Sequence, residues 1–202
     1  MQKTSIICKY LVVLLMCVLT SYQVNAQKFS PSSYIEEHKE IAQELMLETG
    51  VPASVILGVA IHESAYGNSR IAKHLNNHFG IKGKNSSKVI RSAYKGYGSV
   101  RDSYLDFVDL LKRRKTTAPL FEDNEQEDFQ AWVKCIARSG YSVTKTWSSK
   151  VLSTINRYNL DAIDAEVNQN QLWAAKEISR EEDDLLLQQM AQNIQDLSLI
   201  HI

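Results

Sequence analysis

The chain has 202 residues, 23 Lys+Arg against 23 Asp+Glu and 44% hydrophobic residues. A formal net charge of zero gives no argument for nucleic-acid binding, and the length suits one domain with a sizeable core and a tail.

Residues 1–26 open with Lys3 and Lys9, continue as the apolar "YLVVLLMCVL" and reach Val24-Asn25-Ala26, with small residues at the −3 and −1 places of a cleavage site. That order predicts a secretory signal peptide. Its apolar core is shorter than the roughly 20 residues needed to span a bilayer, which argues against an uncleaved anchor. Met16, which is not small, argues against a lipoprotein site at Cys17. The expected product begins near Gln27, is exported to the periplasm or outside the cell, and has no stable membrane insertion. Removal of the two lysines leaves 21 Lys+Arg against 23 Asp+Glu. Cys8 and Cys17 leave with the leader, so Cys135 alone remains and is read as a buried free thiol.

The next stretch is helical. Ser33 and Glu36 form an expected capping box for a helix from about Ser33 to Glu48, with Ile35, Ile41, Ala42, Leu45 and Met46 mostly on one face. Gly50 is a natural stop, and Pro52 suits the first turn of the next helix, "ASVILGVAIHES". That helix is apolar nearly all round and is expected to be central and buried. Residues 80–97, with "FGIKG", "KVIRSAY" and the Gly96/Gly98 pair, suggest a short hairpin or loop lobe. Ser99 with Asp102 starts a helix whose Val100, Tyr104, Phe107, Val108 and Leu111 share a face. Phe129, Trp132, Val133, Ile136 and Ala137 do the same before Gly140, and Trp147, Val151, Ile155 and Tyr158 follow in the last helix. The expected fold is mainly α over residues 27–164. Residues 165–202, with "NQNQ" and "SREEDD", are read as a solvated, helical or partly disordered tail, whose partner the sequence does not name. The closing "LSLIHI" resembles translated adapter sequence and is given no structural weight.

Catalytic chemistry narrows to one carboxyl group. His62-Glu63 begins like a zincin motif, but the second histidine would stand at position 66, which is Tyr66. His74 and His78 lack a third ligand and are read as surface or supporting residues, so no metal and no cofactor is expected. No serine sits in a nucleophile elbow, and there is no glycine-rich phosphate loop. Glu63 remains, at the end of the most apolar helix. A buried carboxyl group either finds a cation or holds its proton, and an apolar helix end opening into a cleft suits a proton donor. On the glutamate alone the simpler reading is the first exposed residue after a core stretch, paired with Arg70.

The surrounding residues change that balance. Four ordered motifs are present: E-S-x-x-G-x-S at Glu63, Ser64, Gly67 and Ser69; N-N-x-F-G-I-K from Asn76 to Lys82; S-x-x-x-S-Y-x-D from Ser99 to Asp106; and Gly140-Tyr141 before the final helix. With them the chain resembles, over roughly Ser33 to Asp164, the glucosaminidase family of bacterial cell-wall hydrolases, glycoside hydrolase family 73. The resemblance implies a lysozyme-like helical fold with a small loop or β-hairpin lobe. It also implies Glu63 as general acid and peptidoglycan glycan strands as substrate, cut at the β-1,4 bond between N-acetylglucosamine and N-acetylmuramic acid. Asn77 and Phe79 would lie beside Glu63, and Tyr141 would contact the substrate acetamido group, with core packing or turn chemistry as the competing role of each. A muramidase or lytic transglycosylase on the same scaffold and a non-catalytic glycan-binding protein are the alternatives.

The chain departs from the family pattern in three places. Tyr141 is followed by Ser142-Val143-Thr144-Lys145 rather than Ala-Thr and often Asp-Pro, and Trp147 stands where a tyrosine is common. The segment between "FGIKG" and "YGSV" is short. The lobe segment "KNSSKVIRSAYKGYG" has no acidic residue where the family often places a second glutamate. The candidate second acids are therefore Asp102 and Asp106. Asp102 has helix capping as its simpler role, and Asp106 lies one turn further on the same face. The expectation is a single-carboxylate mechanism that uses the substrate's own acetamido oxygen.

Overall fold

Ser30 opens the first helix, α1 (Pro31–Thr49), in a computed structural model that describes residues 28–122 and 128–199. The expected leader and the last three residues of "LSLIHI" lie outside the described residues. The capping box at α1 is formed by Ser30 and Ser33 rather than Ser33 and Glu36, because Pro31 takes the first helical position and moves the start forward. Gly50, at φ 76°, ends α1 in the left-handed conformation that glycine adopts without strain.

The central helix α2 (Ala53–Ser64) buries every residue from Ala53 to Ile61 and also Ser64. It packs against α1, against α5 (Phe129–Arg138) and α6 (Trp147–Tyr158), and against the start of α7 (Asp161–Leu199). Each fully buried Val, Leu or Ile contributes about 1.5–3 kcal/mol, so this helix is the centre of the core. Gly58 explains how closely α6 approaches: a Cβ there would stand 2.7 Å from Ile155 Cγ1. The short α3 (Arg70–Leu75) follows, capped by Ser69 and ended by Asn76 at φ 51°. Then comes the lobe, held by one antiparallel bridge, Lys82 to Tyr94, and by flanking backbone bonds such as Lys95 N–H to Ile81 O. The helix α4 (Val100–Arg113) begins at Ser99 with the expected Ser99/Asp102 capping box, and a 3-10 turn follows at Ala118–Phe121.

Two readings become specific in three dimensions. His78 is buried rather than on the surface: its Nδ1 lies 2.6 Å from the Tyr34 hydroxyl, which also meets Tyr104 OH at 2.9 Å. The core runs on from the end of the domain into the first residues of the polar tail. Leu160, Ile163, Asp164 and Val167 are all buried, and Lys39 pairs with Glu166 at 2.7 Å, so α7 runs unbroken past residue 164 before its side chains become exposed. No helix among the described residues is long and apolar enough to cross a membrane.

Candidate active site

The turn after α2 shows what the first motif does. Ala65, Tyr66 and Gly67 all take positive φ, at 52°, 58° and 73°. Non-glycine residues in this region cost of order 1–3 kcal/mol each, so the surrounding bonds must hold them. Ser64 Oγ accepts the Gly67 N–H at 2.7 Å, and Ser69 N–H donates to Ser64 O at 2.8 Å before Ser69 caps α3. A Cβ on Gly67 would come within 3.1 Å of the Tyr34 ring. Thus Ser64, Gly67 and Ser69 make a sharp exit from the helix, and Glu63 stands at the corner.

Glu63 is half-buried and lines a cleft of 490 Å³ together with Phe79, Gly80, Lys82, Arg114 and Tyr141. It is the one carboxylate among the described residues lining that cleft, beside two cations. Arg70, its simplest imagined partner, forms no described ion pair with it. Instead the buried Trp147 donates its Nε1–H to Glu63 Oε1 at 2.7 Å. The other oxygen, Oε2, lies 3.4 Å from where a Gly80 Cβ would stand, so Gly80, at φ 64°, leaves the acid room at the cleft wall.

The second motif builds that wall. Asn77 is buried, donates to Ile81 O and Lys95 O at 2.8 Å each, and accepts from the N–H groups of Phe79 and Ile81. Its amide is therefore spent on pinning the lobe. Phe79 is 1% exposed and stacks on Phe107 at 4.3 Å and 9°, so its ring is core although the residue forms part of the cleft wall. Tyr141 donates its hydroxyl to Phe79 O at 2.6 Å. Burial holds this phenol well above its usual range and keeps it neutral. Arg114 supports the Tyr141 turn, donating to Ser139 O at 2.7 Å with its guanidinium 5.7 Å from the Tyr141 ring.

Neither aspartate lines the cleft with Glu63. Asp102 caps Ser99, accepting its N–H at 2.9 Å. Asp106 accepts from Lys95 Nζ at 2.7 Å, Tyr97 OH at 2.8 Å and Arg113 at 3.3 Å. Burial alone would raise the Asp106 carboxyl, but these donors outweigh it and hold the group below the usual carboxylate range. It latches the lobe to α4. The structure thus brings together Glu63, Phe79 and Tyr141, and adds Trp147, Lys82 and Arg114, which sequence reasoning did not assign. Trp147 was visible as an apolar position of the last helix and as a departure from a family pattern, but nothing local ties an indole to an acid 84 residues away. Among the described residues no cluster of metal-binding side chains occurs.

Known proteins resemble this chain in sequence and in fold. The chain is 28% identical over 155 residues to the exo-glucosaminidase LytG of Bacillus subtilis, covering 67% of this chain and 54% of that protein. It is 27% identical over 145 residues to the peptidoglycan hydrolase FlgJ of Vibrio parahaemolyticus, covering 61% of this chain and 46% of that protein. The chain therefore spans about half the length of these relatives. The catalytic domain of the autolysin Auto from Listeria monocytogenes has the same fold, with a TM-score of 0.55 and 21% identity over 75% of this chain and 97% of that domain. The fold is mainly α and lysozyme-like, with a small lobe and no named strand among the described residues. The glucosaminidase family, described as mannosyl-glycoprotein endo-beta-N-acetylglucosaminidase, matches residues 39–160, which carry the whole cleft, and the chain belongs to that family.

Proposed function

We propose that this chain is a peptidoglycan hydrolase that cuts the β-1,4 bond between N-acetylglucosamine and N-acetylmuramic acid, with Glu63 as general acid. The observation that carries the reading is a single carboxyl group in the cleft among the described residues, held through one oxygen by Trp147. An indole N–H only donates, so Oε1 is an acceptor and the acid proton belongs on Oε2, beside Gly80. From there it passes to the glycosidic oxygen as the bond to C1 breaks.

A glycosidase needs a second group at C1. With Asp102 and Asp106 engaged elsewhere, the substrate's 2-acetamido oxygen takes that role, forming a bond to C1 that water then opens. Tyr141 suits the positioning of that acetamido group. Its proton is committed to Phe79 O, which leaves an oxygen lone pair to accept the acetamido N–H. Export follows from the order of residues 1–26, and N-terminal sequencing of the secreted product should begin near Gln27; a product retaining Met1 in the cytoplasm would contradict it.

The decisive experiment is mass spectrometry of muropeptides after digestion of purified cell wall. Reducing N-acetylglucosamine ends are expected. Reducing or anhydro N-acetylmuramic acid ends would replace this reading with a muramidase or a transglycosylase, and no product with a binding protein. Glu63→Gln keeps the shape but cannot give the proton, so the rate should fall by about 10² to 10⁴.

A further inference from the structure

His62 precedes the acid, and its ring meets Trp147 edge-on at 6.5 Å. From there a second groove of 330 Å³ runs along α6, lined by His62, Ser149, Lys150, Ser153, Thr154 and Arg157 among others. Among the described residues, no acidic and no large apolar side chain lines it. Four described cations of this fold meet carboxylates: Lys39 on Glu166, Lys95 and Arg113 on Asp106, Arg101 on Glu44. Lys150 and Arg157 meet none among the described residues. The charge balance around them has the same sign, because residues 28–160 hold 19 Lys+Arg against 14 Asp+Glu, whereas residues 161–202 hold 2 against 9.

The groove's direction and length say which anion fits. At about 1.5 Å of rise per residue, Lys150 lies roughly 5 Å and Arg157 roughly 15 Å along the helix from Trp147. A carboxylate attached directly to a sugar held at Glu63 cannot span that distance. A peptide branch can, since an extended chain covers about 3.3–3.6 Å per residue and four or five residues reach Arg157. The hydroxyls of Ser149, Ser153 and Thr154 between the two cations suit peptide N–H and C=O groups.

We propose that this groove binds the acidic peptide branch carried by N-acetylmuramic acid, with Lys150 and Arg157 pairing with its carboxylates. The inference rests on the wall-hydrolase reading above and deepens it. The chain then selects peptide-bearing glycan over stripped glycan or neutral oligomers of N-acetylglucosamine. Exposed ion pairs are individually weak, so the two cations together contribute about tenfold in affinity at low salt, falling as salt rises.

Binding of the full chain carrying Glu63→Gln should be measured by sedimentation with intact sacculi and with the same glycan stripped of peptides by an amidase. Tighter binding to intact sacculi, by about tenfold, is expected. Adding Lys150→Glu and Arg157→Glu should make the two glycans bind alike, with an unchanged circular dichroism spectrum. If that double change unfolds the protein, Lys150→Ala and Arg157→Ala tested singly should each narrow the difference. Equal binding of both glycans by the Glu63→Gln chain, or a preference that survives loss of the cations, overturns the groove and leaves the hydrolase reading intact. Binding that follows only a phosphodiester polymer attached to the wall, and disappears when acid extraction removes it, also overturns the groove. If neither glycan is bound and the parent chain cuts neither, the hydrolase reading falls together with it.

Discussion

At the scale of single residues, the cleft separates side chains that touch the reacting bond from those that shape it. Trp147→Phe keeps the ring and removes the N–H to Glu63 Oε1. A hydrogen bond to a neutral acid is worth about 0.5–1.5 kcal/mol, so kcat should drop by roughly 2- to 10-fold with KM little changed. Trp147→Phe digesting wall at the parental rate would mean that the bond does no positioning. Tyr141→Phe removes both the bond to Phe79 O and the proposed acetamido contact, and should slow digestion more than Asp102→Asn or Asp106→Asn. Each aspartate variant should stay within about tenfold of the parent, a barrier change of about 1.4 kcal/mol or less. A folded aspartate variant as inactive as Glu63→Gln would identify the missing second carboxylate. Glu63 itself was legible beforehand, because a lone carboxyl group closing an apolar run is a local anomaly. Asn77 and Phe79 were legible as neighbours of the site, but whether an amide faces solvent or four backbone groups depends on Ile81 and Lys95, which only the folded lobe brings to it.

At the scale of elements, the helix carrying the acid is anchored from the far end of the domain. Pro52 offers α2 no side-chain cap. Asp164, the first-turn acid of α7, supplies it by accepting the Ser54 N–H at 2.8 Å and the Ser54 hydroxyl. Burial is the largest influence on this carboxyl and pushes it up to about 6, against the opposing bonds from Ser54. Asp164→Ala leaves a buried N–H without its acceptor, and should lower stability by about 1–3 kcal/mol in denaturant melts. Asp164→Asn, which keeps an acceptor oxygen, should cost less; equal stability of Asp164→Ala and the parent would remove Asp164 from any anchoring role. This cap was out of reach from sequence, since its partners are 110 positions apart. The helix faces were not: Tyr104, Phe107, Val108 and Leu111 are buried on α4 as their spacing required.

For the whole molecule, acid sensitivity follows from two neutral histidines packed between α1 and the cleft wall. Burial depresses His38 to about 4 and His78 to about 3, with the neighbouring His38 adding to the effect on His78. His38 Nε2 has no hydrogen-bond partner among the described residues. For groups whose folded value lies below the unfolded 6.5, stability is fully present above pH 6.5 and is lost as pH falls towards 4 and then 3. Asp164 works in the opposite sense: its folded value is raised from 3.8, so its contribution is present below pH 3.8 and lost as pH rises through about 6. Two histidines with shifts of several units outweigh one carboxyl group, so Tm should fall between pH 6.5 and 4. His38→Leu should flatten that fall, and a His38→Leu curve parallel to that of the parent would show that His38 is not responsible. The helix α7 is 39 residues long in all, about 58 Å, and past Val167 it exposes Leu172, Trp173, Ile178 and Leu185 along with its acids.

The sequence by itself determined the helical class, the buried central helix, the order of the four motifs and the candidacy of Glu63. Periodicity, caps and charge anomalies are local properties, written within a few residues of where they act. Tertiary structure alone decided what surrounds the acid. It set an indole against Oε1, engaged Asp106 in latching the lobe, gave the amide of Asn77 to the lobe backbone, and placed Asp164 under the start of the central helix. The first and last of these depend on contacts between residues 84 and 110 positions apart. Such pairs leave no periodic trace in one sequence, because packing geometry rather than chain proximity chooses them.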